Sequence, residues 1–168
     1  HVGGRRVRGR PRGEHVGGVT KNALIVFADG AYIELIAFNR PDPAHPWSRV
    51  FHDAGEGFLD FALNPTNTIA EVAAAQARGL AISDPIPGGR TRPDGERVEW
   101  QNARPARSDL PFLCGDVTPR RLRVREGEVR RHPNGALGIA ELTIAVEDRA
   151  ASLARYRALL GDIGAVSQ

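Results

Sequence analysis

The chain has few or no residues of several types, and each of these absences excludes a kind of site or segment. Cys114 is the only cysteine among 168 residues, which excludes a disulfide within the chain and a zinc site built from several cysteines. A reducing cytoplasm is the expected location, because disulfides persist mainly in oxidising compartments. No apolar run approaches the ~20 residues of a membrane-spanning helix, and the N-terminus lacks the apolar stretch of a signal peptide. Methionine is absent, which predicts a chain trimmed from a longer one.

The positive charge is concentrated at the N-terminus. Residues 1–13 contain five arginines and no acidic residue, and the whole chain has a net charge of +3. Subtracting those five charges leaves −2 for the remaining residues, which argues against a nucleic-acid-binding surface on the folded part. Arg8-Gly9-Arg10-Pro11 matches the core of an AT-hook, a motif that binds the DNA minor groove. The alternative is a solvated, flexible basic arm over residues 1–13.

Strand and helix patterns follow one another from residue 22 onward. The predicted elements are strands at 22–28, 31–38 and 57–63, a helix at 68–78, turns at 85–89 and 92–95, strands at 97–103 and 110–117, and a polar connection or edge hairpin at 119–131. Asp29-Gly30 predicts a two-residue turn between the first two strands. Asn67 or Thr68 is the expected N-cap of the helix, and Gly79 its end. The predicted apolar stripe of this helix is Ile69, Val72, Ala73 and Gln76.

One strand–helix unit occurs twice in the sequence. Residues 138–161 align with residues 57–80 at a constant offset, which places Glu141 on Asp60 and Leu153 on Val72. The second copy predicts a strand at 138–146 and a helix that Gly161 ends. An internal repeat indicates a modular architecture, here of one strand, one helix and three further strands.

This β-α-β-β-β order resembles the vicinal oxygen chelate superfamily, and within it the glyoxalase-like domain proteins. The segments that carry the resemblance are 14–38, 90–100, 109–117 and 132–146. It implies an α+β fold of βαβββ modules, with mixed, mainly antiparallel curved sheets that enclose a cleft. The implied organisation is an arm at 1–13, the remainder of a first module at 14–56, a second module at 57–131 and the start of a further module at 132–168. Compared with the family, both ends are expected to be cut.

The resemblance also implies a metal site. Proteins of this superfamily often bind a divalent metal through His and Glu side chains of paired modules, with positions left open for substrate oxygens. By the resemblance, Glu34 stands where the family has a strand glutamate, Asp60 where many relatives have a histidine, and Glu141 at the repeat position of Asp60. The implied cofactor is Mn, Mg, Fe or Zn, and carboxylates in place of histidine favour Mg or Mn over Zn. The alternative is that these carboxylates lie on a solvated sheet face.

Polar residues beside the pocket strands are candidates for catalysis or ligand binding. His15 and His132 lie in stretches that resemble family motifs, and each could bind a substrate carboxylate or transfer a proton near neutral pH. For His132 the alternative is simple turn chemistry in residues 132–135. The candidate catalytic residues are Glu34, His15 and His132, and the candidate ligand-binding residues are Thr20, Asn22 and Arg92. Cys114 is expected to be buried packing, and His45 and His52 to be surface residues.

Three functions are consistent with these features. The first is a metal-dependent lyase, isomerase or dioxygenase-type enzyme acting on a small oxygenated metabolite, in which the metal polarises a substrate oxygen. The second is a metal-free module that binds or sequesters small drug-like molecules in an apolar cleft. The third, more distant, is DNA binding through the arginine-rich arm. A homodimer is implied by the resemblance, whereas a membrane partner is not expected.

Overall fold

Residues 9–14, 18–45, 47–92 and 94–161 are described in the computed structural model. The chain divides into two units: the first comprises residues 1–59 and 120–142, and the second comprises 60–119 and 143–168. The elements are, in chain order, β1 Arg10–Glu14, β2 Thr20–Val26, β3 Tyr32–Phe38, α1 Ser48–Ala54, β4 Ala62–Leu63, α2 Thr68–Ala77, β5 Ile86–Thr91, β6 Arg97–Ala103, β7 Phe112–Asp116, α3 Arg120–Arg123, a 3-10 turn Gly127–Arg130 and α4 Arg149–Leu160. In this part of the chain no helix has the length and apolarity to cross a membrane.

The first unit contains a three-stranded antiparallel sheet in the order β1-β2-β3. Strands β2 and β3 form the predicted hairpin, but its loop is one residue longer than predicted. The loop comprises Ala28, Asp29 and Gly30, and the Phe27 N–H closes it by donating to the Ala31 carbonyl at 2.8 Å. Gly30 has a φ of 84°, a backbone conformation that residues other than glycine rarely adopt. This conformation permits a three-residue turn in place of the two-residue one.

Part of the predicted flexible arm belongs to this sheet. Strand β1 pairs with β2, with Arg10 opposite Leu24 and Glu14 opposite Lys21. The prediction of a flexible arm over residues 1–13 is therefore wrong for its last residues, because hydrogen bonds to β2 hold their backbone in the sheet. Residues 1–8 lie outside the described part of the chain.

The connection after β7 is helical, whereas an edge hairpin was one of the two predictions for residues 119–131. It contains α3 and the 3-10 turn, and Val124 between them is fully buried. Val124 packs with Leu24, Val26 and Tyr32 on the hairpin, so this connection covers one end of the sheet. The polar, arginine-rich composition of this segment did not indicate that Val124 is buried.

The second unit is a complete βαβββ module. Its elements run β4-α2-β5-β6-β7, and its sheet has the strand order β4-β7-β6-β5. Strand β4 is parallel to β7, whereas the β5–β6 and β6–β7 pairs are antiparallel. This confirms the predicted α+β fold with mixed, mainly antiparallel sheets.

Two predictions for this module were wrong in detail. Of the strand predicted at 57–63, only Ala62 and Leu63 pair, because the ladder with β7 begins at Phe112. Of the Pro/Gly-rich segment 85–89, predicted as a turn, residues 86–89 belong to β5, where Gly88 lies directly opposite Trp100. A Cβ at Gly88 would stand 2.8 Å from Trp100 Cε2, so the glycine provides room for the indole and is not a turn signal.

Helix α2 has the predicted ends but a different buried face. Asn67 caps it by accepting from the Ala70 N–H at 3.0 Å, and Gly79, with a φ of 86°, follows its C-terminus. The buried residues are Thr68, Val72 and Ala75, whereas Ile69, Ala73 and Gln76 of the predicted stripe are exposed. The core around this face comprises Val72, Ala75, Leu80, Ile82, Ala103, Leu110, Leu113 and Leu159.

Of the repeated strand–helix unit, the helix forms but the strand does not. Helix α4 forms as predicted, with Asp148 as its N-cap and Gly161 as its C-cap. The strand predicted at 138–146 is wrong, since none of these residues is assigned to a strand. Its alternating apolar pattern is suited to a sheet, but a strand also needs a neighbour to complete its hydrogen bonds, and no strand of the described residues pairs with it.

Candidate functional site

Glu34 and Asn22 lie side by side on one face of the first sheet. Glu34 is opposite Leu24 and Asn22 is opposite Ile36, so these four side chains point to the same side. The Asn22 Nδ2 donates to Glu34 Oε1 at 2.7 Å, and both residues are half-buried. A carboxylate in such a position needs a donor, and the amide supplies one. Two residues that the sequence singled out separately are thus brought together.

Apolar side chains continue this face in both directions along the strands. We define the Glu34 face as Thr20, Asn22, Leu24, Glu34, Ile36 and Phe38. Leu24 packs into the cluster around Val124 at one end, and Phe38 marks the other end. Thr20 is only 2% exposed, so very little of this ligand-binding candidate is accessible to a ligand.

An aromatic group, comprising Phe38, His45, Trp47 and Phe51, stands at the far end of the Glu34 face. The ring centroid of Phe38 is 5.2 Å from that of His45 and 5.7 Å from that of Phe51. The centroids of the His45 and Trp47 rings are 5.4 Å apart, and the backbone N–H of Trp47 donates to His45 Nδ1 at 3.3 Å. His45 is half-buried, not a plain surface residue. Sequence reasoning missed this group, although the aromatic residues of a Pro-rich loop next to a strand end were a usable signal.

Asp60 is held by a cation of its own unit. Its Oδ2 accepts from Arg104 Nη1 at 2.7 Å, and its Oδ1 accepts from the Phe61 N–H at 2.8 Å. The guanidinium of Arg104 also lies 4.2 Å from the ring centroid of Phe112. A carboxylate paired with arginine attracts a metal ion poorly, because the two cations repel each other.

The predicted metal ligands do not form a metal-binding group in the described part of the chain. Among those residues, no three His, Cys, Asp or Glu side chains come together in a way that could hold an ion. Glu34 is bonded to Asn22, Asp60 is paired with Arg104, and Glu141 is exposed. These donors do not fit a divalent metal as they stand. Their role as ligands stays a prediction.

His132 is buried beneath the hairpin. It is 8% exposed, its Nε2 is 2.9 Å from the Val26 carbonyl oxygen, and its ring meets Phe27 edge-on at 5.3 Å. A hydrogen bond to that carbonyl requires the proton on Nε2. The Gly135 N–H donates to the His132 carbonyl at 2.9 Å, which forms the expected tight turn. This geometry favours an anchoring role, and a catalytic one stays a prediction. His15 lies outside the described residues.

Arg92 is occupied within its own turn. Its guanidinium contacts Asp94 at 2.9 Å and Glu96 at 3.2 Å. A guanidinium that already faces two carboxylates has little remaining attraction for an anionic ligand, so its predicted role as a ligand contact gains no support from this geometry. Cys114 is buried, as predicted.

A network of hydrogen bonds around Asp109 in the second unit fastens α4. Asp109 Oδ2 accepts from Ser152 Oγ at 2.7 Å and from the Arg155 guanidinium, while Tyr156 Oη donates to the Asp109 carbonyl at 2.8 Å. The hydrogen bonds from Arg155 hold the pKa of Asp109 below its usual value, with a smaller contribution from Ser152. Burial and the nearby Asp109 charge raise the pKa of Tyr156. This network joins the β6–β7 connection to α4 and serves stability.

The comparisons with known proteins place the chain in a family. A search of the curated proteins finds no match. A solved structure, that of a hypothetical protein from Staphylococcus aureus, matches with a TM-score of 0.57 and 19% identity over 70% of this chain and 53% of that one. That likeness shows a shared fold, and this chain spans about half of the other protein. The sequence model of the glyoxalase-like domain matches residues 5–160. The chain therefore belongs to the glyoxalase-like domain family, as the resemblance implied.

Proposed function

We propose that the chain binds small organic molecules at the Glu34 face, without a metal, through the Glu34–Asn22 pair. The observation that carries this is the 2.7 Å hydrogen bond that fixes a half-buried carboxylate on a sheet face that also presents Leu24, Ile36 and Phe38. Binding pockets for small molecules have this composition, with apolar lining and a small number of fixed polar groups that orient the ligand.

The charges and rings of the face select a ligand class. The Glu34 carboxylate is an anion whose oxygens only accept hydrogen bonds, so its chemistry suits an ammonium or hydroxyl donor on the ligand. Phe38 lies four positions after Glu34 in β3, and four residue steps along a strand span about 13 Å. A ligand with a donor at one end and an aromatic or alkyl body can lie along Ile36 and reach the aromatic group. Rings of that kind also attract organic cations.

Tryptophan fluorescence can test this proposal in the purified chain. The W100F variant leaves Trp47 as the only tryptophan, and Trp47 belongs to the aromatic group. We expect 3-phenylpropylamine to change its emission saturably, 3-phenylpropanol to do so more weakly, and 3-phenylpropanoate not at all. The substitution Glu34→Gln removes the charge and should weaken amine binding about 10–100-fold, since a hydrogen bond to a charged group contributes roughly 1.5–3 kcal/mol.

Glu56→Gln is the matched control, because Glu56 is an exposed carboxylate of the same unit. It should leave amine binding unchanged. Equal binding of the amine and the carboxylate, or equal effects of the two substitutions, would contradict the proposal. A melting temperature raised by Mn or Mg in the parent chain but not in Glu34→Gln would favour the metal-dependent enzyme instead.

A further inference from the structure

A cavity in the second unit lies along one side of α4. Its volume is about 370 Å³, which falls within the range of pockets that hold small organic molecules. The residues that line it are Ile144, Val146, Arg149, Ser152, Leu153 and Tyr156. Those that belong to α4 follow the spacing i, i+3, i+4 and i+7, so they form one stripe along about two turns of the helix. The cavity therefore suits an elongated molecule.

Apolar side chains form two walls of this cavity. Ile144 and Val146 line it from the segment before the helix, and Leu153 lines it from α4. All three are half-buried, so part of their apolar surface is still in contact with water. An occupant with an aliphatic body would remove this surface from water, which is favourable.

The polar side chains of the lining differ in what they can still bind. Ser152 Oγ donates to Asp109 Oδ2 at 2.7 Å, and Tyr156 Oη donates to the Asp109 carbonyl at 2.8 Å. Both hydroxyl protons are therefore engaged, and these side chains offer a ligand only acceptor lone pairs. Arg149 is exposed, and its guanidinium has no hydrogen bond or ion pair within the described part of the chain. Arg149 is thus the lining side chain whose donors and charge are available to a ligand.

We propose that this cavity binds a medium-chain carboxylate, with its carboxylate group on Arg149 and its hydrocarbon chain between α4 and residues 144–146. A planar guanidinium binds a carboxylate through two parallel hydrogen bonds. The acidic neighbours of Arg149 do not line the cavity: Glu147 is exposed, and Asp148 accepts from the Ala151 N–H at 2.9 Å as the N-cap of α4. The proposal does not depend on the binding function proposed for the Glu34 face.

Calorimetric titration of the full chain with octanoate tests this proposal. Octanoate should bind saturably, and at least about 10-fold more tightly than butanoate, because four more methylene groups leave water. The uncharged 1-octanol should bind more weakly than octanoate. Arg149→Gln should weaken octanoate binding by about 3–10-fold, as expected for an exposed charge, and should leave 1-octanol binding unchanged.

Two control pairs separate the charge from the cavity. Arg157→Gln removes an exposed arginine of the same helix that does not line the cavity, so it should leave octanoate binding unchanged. Leu153→Trp fills the cavity and should abolish binding of both octanoate and 1-octanol, whereas Leu153→Met conserves the volume and should retain it. The circular dichroism of each variant must match that of the parent chain, so that lost binding is not lost folding.

A parent chain that binds no octanoate would overturn the proposal. Equal octanoate affinity of the parent chain and Arg149→Gln would do the same, as would unchanged affinity in Leu153→Trp. Glu34→Gln should leave octanoate binding unchanged. If this substitution abolishes it instead, the carboxylate binds at the Glu34 face and the cavity beside α4 is the wrong site.

Discussion

The Asp109 network provides a sharp test of how α4 is held. Asp109→Asn keeps the size of the side chain but removes the charge that binds the Arg155 guanidinium. The side chain of Asp109 is 16% exposed and that of Arg155 is 25% exposed, which is intermediate between a surface pair and a buried one. Surface pairs contribute about 0–1 kcal/mol, and breaking a buried pair costs roughly 3–5 kcal/mol. We therefore expect Asp109→Asn to lower the free energy of unfolding by about 2 kcal/mol.

For a protein of this size, that loss corresponds to a fall in melting temperature of roughly 4–8 °C. Asp94→Asn is the control, because Asp94 also pairs with an arginine but its side chain is 53% exposed. It should change the free energy of unfolding by less than about 1 kcal/mol. Urea titrations of the parent chain and both variants at pH 7 measure these differences.

The pH dependence follows from the lowered pKa of Asp109. A carboxyl whose pKa is lower in the folded than in the unfolded state stabilises the fold above its unfolded pKa, and this stabilisation is lost as the pH falls through the folded pKa. The difference between the parent chain and Asp109→Asn should therefore shrink in acid. A difference that stays constant down to the pH where the parent unfolds, or equal losses for Asp109→Asn and Asp94→Asn, would refute the reasoning.

Two further predictions concern packing. Val72 is 2% exposed, so Val72→Ala should cost about 2–3 kcal/mol of unfolding free energy, whereas Ile69→Ala, at a position 59% exposed, should cost under about 0.5 kcal/mol in the same urea titration. His132→Ala should cost about 2 kcal/mol, because it leaves the buried Val26 carbonyl without the His132 ring nitrogen. It should leave amine binding to the folded variant unchanged in the fluorescence titration, and a lost affinity at unchanged stability would instead support a catalytic or binding role for His132.

The sequence predicted correctly those elements whose bounds are determined by residues within them or directly next to them. Strand β6 has the predicted bounds, Arg97–Ala103, and its first four residues alternate between polar and apolar side chains. Helix α2 has the predicted cap and stop because Asn67 and Gly79 act on the residues next to them. The helix stripe, in contrast, depends on which side the sheet approaches. Thr68 is buried and Ile69 is exposed, although isoleucine is the more hydrophobic of the two, because packing against the sheet determines which face of the helix is buried.

Segments whose structure depends on a distant partner were mispredicted. Residues 85–89 have a turn composition, yet residues 86–89 form part of a strand because β6 pairs with them and Trp100 fills the space over Gly88. Residues 138–146 have a strand composition, yet they form none in the described chain. In each case the composition of the segment was typical of the predicted structure. The secondary structure depends, however, on whether another segment forms hydrogen bonds with it.

Pairing between distant segments also explains why the sequence predicted Glu34 and Asn22 as site residues but did not predict their contact. A two-residue turn at Asp29-Gly30 would set Ala28 opposite Ala31, and Glu34 would then stand opposite Ile25, on the other face from Asn22. The observed three-residue loop shifts the register by one residue, so that Glu34 is opposite Leu24 and Asn22 joins it. One loop residue therefore decides whether the carboxylate meets its amide donor.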